Sequence, residues 1–216
     1  ALGPLRINPK NPRYFTDASG KAIYLTGSHT WNNFKDMGIA DPPVPFDYDG
    51  YLGILLRYNH NFIRLWTWEL PRYDCGDGIK MVGPFPWLRT GPGTASDGKP
   101  KFDLSRFDQV YFDRLRARVS AAGVKRIYVS IMLFEGYGLQ FCRLAQAGFP
   151  FAEGNNVNGI NAPGTSAHTL TNPDVTIIQK DYIKKVVDTV NDLDNVLYEI
   201  VNEAGPYSTS WQYEMI

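Results

Sequence analysis

The chain has 216 residues, with 22 basic and 22 acidic side chains, so its formal net charge is zero and no polyanionic partner is implied. Apolar residues make up 44%, which excludes a disordered chain and gives one domain, residues 1–216, material for a core. No run of Lys or Arg offers a nucleic-acid face, no apolar stretch approaches a membrane span, and the opening Ala1-Leu2-Gly3-Pro4 does not read as a signal peptide, although a cleaved one is compatible with it.

In chain order, residues 13–27 read as a hairpin. Tyr14-Phe15-Thr16 is one arm, Asp17-Ala18-Ser19-Gly20 the turn, and Ala22-Ile23-Tyr24-Leu25-Thr26-Gly27 the second arm, short enough to be a buried parallel strand. After a proline-rich loop, Asp47 caps a helix reaching about His60, with Tyr48, Leu52, Leu55 and Leu56 on one side. Phe62–Trp66 is a strand, followed by a long loop carrying Gly76, Gly78, Pro84, Pro86, Gly91, Pro92 and Gly93. A second helix starts near Asp103 or Ser105, with Leu104, Phe107, Tyr111, Leu115, Val119 and Ala122 at helical spacing, and Gly123 stops it.

Residues 127–134 form a third buried strand. Another long loop leads to Asn172-Pro173, an N-cap followed by proline at the first helical position, and the helix beyond shows Ile183, Val186, Val187, Val190 and Leu193 as its stripe. Val196–Val201 is the fourth strand. Four alternations of strand and helix imply α/β architecture with a parallel sheet covered by helices. Long loops after strands and short ones after helices place function at the strands' C-terminal ends, in a barrel or an open sheet.

Aromatic residues reach 14%, including 5 Trp and 13 Tyr. A large core accounts for about half of them, and the rest suit a cleft in which rings cover the C–H faces of sugars. The fourth strand runs into Asn202-Glu203. A buried strand ending in Asn-Glu resembles strand four of clan A glycoside hydrolases, the group that contains family 5. Two other segments support the resemblance: Arg64 inside the second strand, and the stretch from Asn11-Pro12-Arg13 to Leu25-Thr26-Gly27-Ser28-His29-Thr30-Trp31.

The resemblance implies the first four βα units of a (β/α)8, TIM-barrel-type fold, that is, a half-barrel. It implies a retaining hydrolase of a β-linked glycan such as β-glucan or mannan, with no cofactor. Glu203 becomes the acid/base, Asn202 bonds the sugar 2-hydroxyl, and Arg64 orients the carboxylate; Arg64 is equally suited to a structural pair with Glu199 or Glu203. Glu199 alternates toward the interior and is the weaker acid.

Other positions carry two readings each. His29 closes the first strand and either touches substrate or bonds backbone. Trp31, Trp66, Trp68 and Trp87 sit at strand ends or in the loops beyond, where one or two stack on sugar and the others pack. Glu69 and Glu135 end the second and third strands, where a carboxylate is functional or simply solvated, and Tyr137 follows as a substrate contact. Asp74, Asp77 and Glu153 lack metal-ligand spacing and read as surface, and no metal is implied. Cys75 and Cys142 lie outside any CxxC pattern, on loops following neighbouring strands; a disulfide and two free thiols both fit.

A retaining enzyme of this clan needs a second carboxylate on strand seven, and only thirteen residues follow Glu203. The expectation is therefore association with a missing C-terminal half, or a two-fold homodimer in which Glu135 faces the partner's Glu203. A non-catalytic carbohydrate-binding or structural module is the alternative. Localisation is open, with secretion or the periplasm favoured for a glycan-degrading protein.

Overall fold

The chain enters through a small antiparallel sheet of β1 (Arg6–Ile7), β2 (Phe15–Thr16) and β3 (Ala22–Ile23), ordered β1-β2-β3. The computed structural model describes residues 3–76, 78–142 and 148–216. The expected hairpin forms, and the Thr16 hydroxyl donates to Lys21 O at 2.8 Å to close it. Its second arm, however, is not a parallel strand. Tyr24 is 78% exposed, so the run is not buried, and it meets the central sheet through Thr26 O, which accepts from Asn61 N and Phe62 N, and through the Asn61 side chain, which bonds Thr26 N and Tyr24 O. Gly27 permits that approach, because a Cβ there would lie 1.7 Å from Phe62 O.

β4 (Asp36–Gly38) precedes α1 (Tyr48–Arg57), whose Asp47 cap accepts from Gly50 N as its sequence suggests. Tyr48, Leu52 and Leu55 are buried, whereas Leu56 faces outward. β5 (Phe62–Leu65) follows. The glycine- and proline-rich stretch beyond is not a loop. It holds β6 (Arg72–Tyr73), β7 (Lys80–Gly83), β8 (Trp87–Thr94) and β9 (Pro100–Phe107). These form an antiparallel sheet β4-β7-β6 and a separate β8-β9 hairpin. Leu104 therefore belongs to a strand, and α2 (Gln109–Val124) starts later than expected, capped by Asp108 accepting from Val110 N.

β10 (Tyr128–Glu135) is buried at every position. α3 (Tyr137–Phe141) leads on, past a 3-10 turn at Gly164–His168, to α4 (Pro173–Val190). Asn172 caps α4, accepting from Asp174 N and Val175 N, with Pro173 in the first turn. Its buried face is Val175, Gln179, Tyr182, Val186 and Val190, one position round from the expected Ile183 and Val187. β11 (Val196–Asn202) and α5 (Thr209–Met215) complete the described chain.

The only parallel sheet among the described residues is β11-β10-β5, with Val129 opposite both Ile63 and Val196. The half-barrel expected from the alternation is thus corrected. Three parallel strands stand beside three small antiparallel sheets, and no barrel closes. The physical reason is twofold: the second arm pairs antiparallel with the first, and the segment between β5 and α2 spends its backbone hydrogen bonds on antiparallel partners. α2 and α4 cover the sheet together, their Tyr111 and Tyr182 hydroxyls 2.9 Å apart. Buried Asn195 joins α2 to β10 by donating to Val119 O and Ile127 O, both at 3.0 Å. Much of the aromatic load lies in this core, Trp87 and Trp211 included. No helix among the described residues is long and apolar enough to cross a membrane.

Candidate functional site

Register brings the C-terminal ends of the three parallel strands together, with Glu135 opposite Asn202. Arg64 of β5 crosses over Met132 of the central strand, its Nη2 3.7 Å from the Met132 sulfur. On the far side it grips Glu199 through two hydrogen bonds, from Nε at 2.8 Å and from Nη2. Nη2 also donates to Asn202 Oδ1 at 2.9 Å. Of the two structural partners considered for Arg64, Glu199 is the one it takes. Because Arg64 has no acceptor, this bond fixes the Asn202 amide with its oxygen toward the guanidinium. Its Nδ2 is buried, and the amide donates toward the carboxyl of Glu135, its neighbour across the sheet, which works against the rise in that group's pKa.

The end of β5 is held by Asn33, whose Nδ2 donates to Arg64 O at 2.6 Å while its Oδ1 accepts from Trp66 N at 2.8 Å. Trp66 comes next and is buried. His29 stacks on its ring at 5.2 Å and 9°, and the Arg64 guanidinium carbon sits 4.9 Å from the ring centroid. With those neighbours Trp66 is no stacking platform for a sugar. Its Nε1 is buried without a partner among the described residues. Burial, followed by the Arg64 charge, lowers the His29 pKa, which keeps the stacked ring neutral at neutral pH.

Trp68 is fixed at both ends. Its indole Nε1 donates to Trp31 O at 2.6 Å, and its backbone oxygen accepts from Lys35 Nζ. Lys35 is fully buried, with its ammonium 3.7 Å from the Phe85 ring centroid; burial drives its pKa down to about 7 against the opposing pull of Glu69.

Around these groups opens a cleft of about 350 Å³. Trp31, Trp66, Trp68, Tyr73 and Tyr137 supply aromatic walls, Met37, Cys75 and Lys80 complete one side, and Asn202 and Glu203 present the polar edge. Cys75 is joined to Cys142 in a disulfide with Cα atoms 4.5 Å apart, which ties the segment after β6 to the end of α3. Glu203 is exposed and has φ of 49°, a left-handed backbone that a residue with Cβ adopts at a cost of order 1–3 kcal/mol. Gln140 Nε2 donates to its carbonyl at 2.5 Å. Strain of this kind at the mouth of a cleft is characteristic of residues placed for a task.

Six of the positions expected from the sequence thus line one cleft: Trp31, Trp66, Trp68, Tyr137, Asn202 and Glu203. His29 and Arg64 support two of them from behind. Glu69 and Glu135 do not line it. Glu135 has no exposed surface; its carboxylate accepts from Tyr137 N at 2.6 Å and Gly138 N at 3.0 Å, capping the start of α3. It is therefore not presented to a partner across a two-fold, as a trans carboxylate would have to be. Burial pushes its pKa up to about 8, against the Gly138 and Tyr137 N–H groups and with Glu69 adding to the rise. Glu69 is also buried: its Oε2 accepts from Glu135 N at 2.9 Å and lies 2.8 Å from Nε2 of His168, a ring stacked on Trp211. Both carboxyl groups are taken up by backbone and side-chain partners inside the protein. Asp74 accepts from Gly76 N in a turn, and Asp77 lies outside the described residues.

Among the buried polar residues that the sequence reading did not single out are Asn33, Lys35 and His168. Asn33 and Lys35 sit in a polar stretch that reads as solvated loop. His168 had one signal, being one of only 3 histidines in the chain.

No family model and no curated protein matches the sequence. Among solved structures, the chain is similar to the crystal structure of a "putative glycoside hydrolase" from Bacteroides vulgatus ATCC 8482, with a TM-score of 0.57 and 14% sequence identity. The alignment covers 99% of this chain and 35% of that one, so the chain spans about a third of that protein's length. At that identity the likeness is one of fold. It does not extend to an activity, to clan A or to family 5.

Proposed function

We propose that the cleft binds a carbohydrate and that Glu203 is the acid/base of a glycoside hydrolase to which this chain contributes. The observation that carries the proposal is an aromatic cleft lined by Trp66, whose buried indole Nε1 has no partner among the described residues, beside a strained Glu203. An unpaired buried donor costs about 1–3 kcal/mol, so the site is matched to a ligand that supplies an acceptor oxygen. Sugar hydroxyls supply such oxygens, and pyranose C–H faces suit indole walls. In this scheme Glu203 protonates the departing glycosidic oxygen and then takes a proton from the attacking water. Arg64 holds Asn202 so that its N–H faces away from the guanidinium, toward the Glu135 carboxyl.

One observation favours a second reading. Glycoside hydrolysis uses two carboxylates, and among the described residues Glu203 is the only carboxylate lining the cleft. A non-catalytic carbohydrate-binding module would need no other. The two readings separate in one experiment: the chain and its Glu203→Gln variant are assayed on aryl glycosides of graded leaving-group ability, with binding followed in parallel. Loss of general acid catalysis lowers turnover of poor leaving groups by about 10²–10⁴ and spares activated ones. Binding without turnover in either protein supports the module. Turnover of natural glycan that is equal in both removes Glu203 from the chemistry.

A further inference from the structure

A second, shallower pocket of about 240 Å³ adjoins the cleft and shares Trp31, Met37 and Lys80 with it; Asn32 and Ile39 lie on its outer side. We propose that this outer pocket binds a second sugar unit, so that the site takes an oligosaccharide running across Trp31; the proposal rests on the carbohydrate reading above.

Trp31 is the feature that points there. It is 61% exposed, while the other four tryptophans are at most 6% exposed. Leaving an indole in water forfeits roughly the burial stabilisation of a large apolar side chain, on the order of 1.5–3 kcal/mol. The main chain that carries the ring is anchored, since the Trp31 carbonyl accepts from Trp68 Nε1 at 2.6 Å. An exposed indole on that anchored segment, lining both adjoining depressions, is available to a ligand in either.

The rest of the outer pocket has the composition of a sugar contact. Thr30 donates its hydroxyl to Asn32 Oδ1 at 2.9 Å, which occupies the amide oxygen and leaves Asn32 Nδ2 as a donor without a partner among the described residues. Ile39 is an exposed apolar neighbour that suits the C–H edge of a ring. The pocket also has a firm base, because β4 pairs with β7: Met37 stands opposite Val82 and Gly38 opposite Met81, and Lys80 begins the same strand. Sites built on paired strands hold their geometry better than sites on free loops. Two contiguous depressions with one shared aromatic wall match linked rings in a chain; a single monosaccharide would leave one of them unused.

The test uses a glycan array graded by length, from monosaccharides to trisaccharides of plant and microbial polysaccharides, followed by calorimetric titration of the best series with the intact chain and with Asn32→Ala and Ile39→Ala. The expected result is a gain of about tenfold or more in affinity from mono- to trisaccharide, which both variants lose while keeping the monosaccharide affinity of the wild type. Circular dichroism confirms that the variants fold. Binding that does not depend on length, or a length gain that survives both substitutions, overturns the outer-pocket assignment and leaves the carbohydrate reading standing. No binding to any glycan overturns both.

Discussion

Replacing Glu135 by Gln should abolish the pH dependence of stability that this residue imposes. Its carboxyl has an ordinary pKa of 4.5 in the unfolded chain and is pushed to about 8 in the fold by burial. Between those values the native state retains a proton that the unfolded state has released, so stability is full below pH 4.5 and is lost as the pH rises toward 8. At about 1.4 kcal/mol per pH unit the loss reaches at most about 5 kcal/mol. Gln is isosteric and carries no charge to bury. It gives up one acceptor facing the Tyr137 and Gly138 N–H groups, at a cost of about 1–3 kcal/mol. The variant should therefore be less stable than wild type at pH 4.5 and more stable by about 2 kcal/mol or more above pH 8, the two curves crossing between. Urea unfolding followed by tryptophan fluorescence across that range measures both. Parallel curves would refute the assignment of Glu135 as a buried, proton-retaining carboxyl.

Two further outcomes follow from groups around the cleft. Lys35 has the opposite sign: its folded pKa of about 7 lies below the ordinary 10.5, so stability rises with pH between those values, and Lys35→Met should flatten that rise and stabilise the fold at neutral pH in the same urea assay. The Cys75–Cys142 disulfide spans a sequence separation of 67, and chain entropy alone then makes it worth about 4 kcal/mol; Cys75→Ser with Cys142→Ser should lower the unfolding free energy by an amount of that order, and a change below about 1 kcal/mol would show that the crosslink does not constrain the unfolded chain.

The sequence revealed the elements whose ends carry strong local chemistry. Asp47 and Asn172-Pro173 cap helices where expected, and the apolar run before Glu135 is the fully buried central strand. It hid the antiparallel insertion. Gly91, Pro92 and Gly93 read as loop, yet they lie within β8, where the register shifts between Arg89 and Thr94 absorb them. Leu104, Phe107 and Tyr111 fit a helical stripe by spacing, but Leu104 shares the buried face of a strand with Phe102, and the partners that decide this are β8, with Arg89 opposite Phe102, and two distant asparagines, Asn155 through its backbone oxygen and Asn158 through its side chain. The site was legible where it follows strand ends, at Asn202-Glu203 and Trp66. The same rule misplaced Glu69 and Glu135, because a carboxylate at a strand end can equally cap nearby N–H groups. Lys35 carried no local signal, since its burial under Trp68 and Phe85 is created by tertiary packing.

The most direct test of the carbohydrate-binding cleft is an NMR titration of the five tryptophan indole N–H resonances with the best oligosaccharide from the array. The indole of Trp66 has no partner in the protein, that of Trp68 is bonded to Trp31 O, and that of Trp211 to Gln179 Oε1 within the core. Saturable shifts of Trp66, accompanied by the exposed Trp31 and with Trp87 and Trp211 unmoved, are the expected result. A Trp66 resonance that stays fixed at saturating glycan would contradict it.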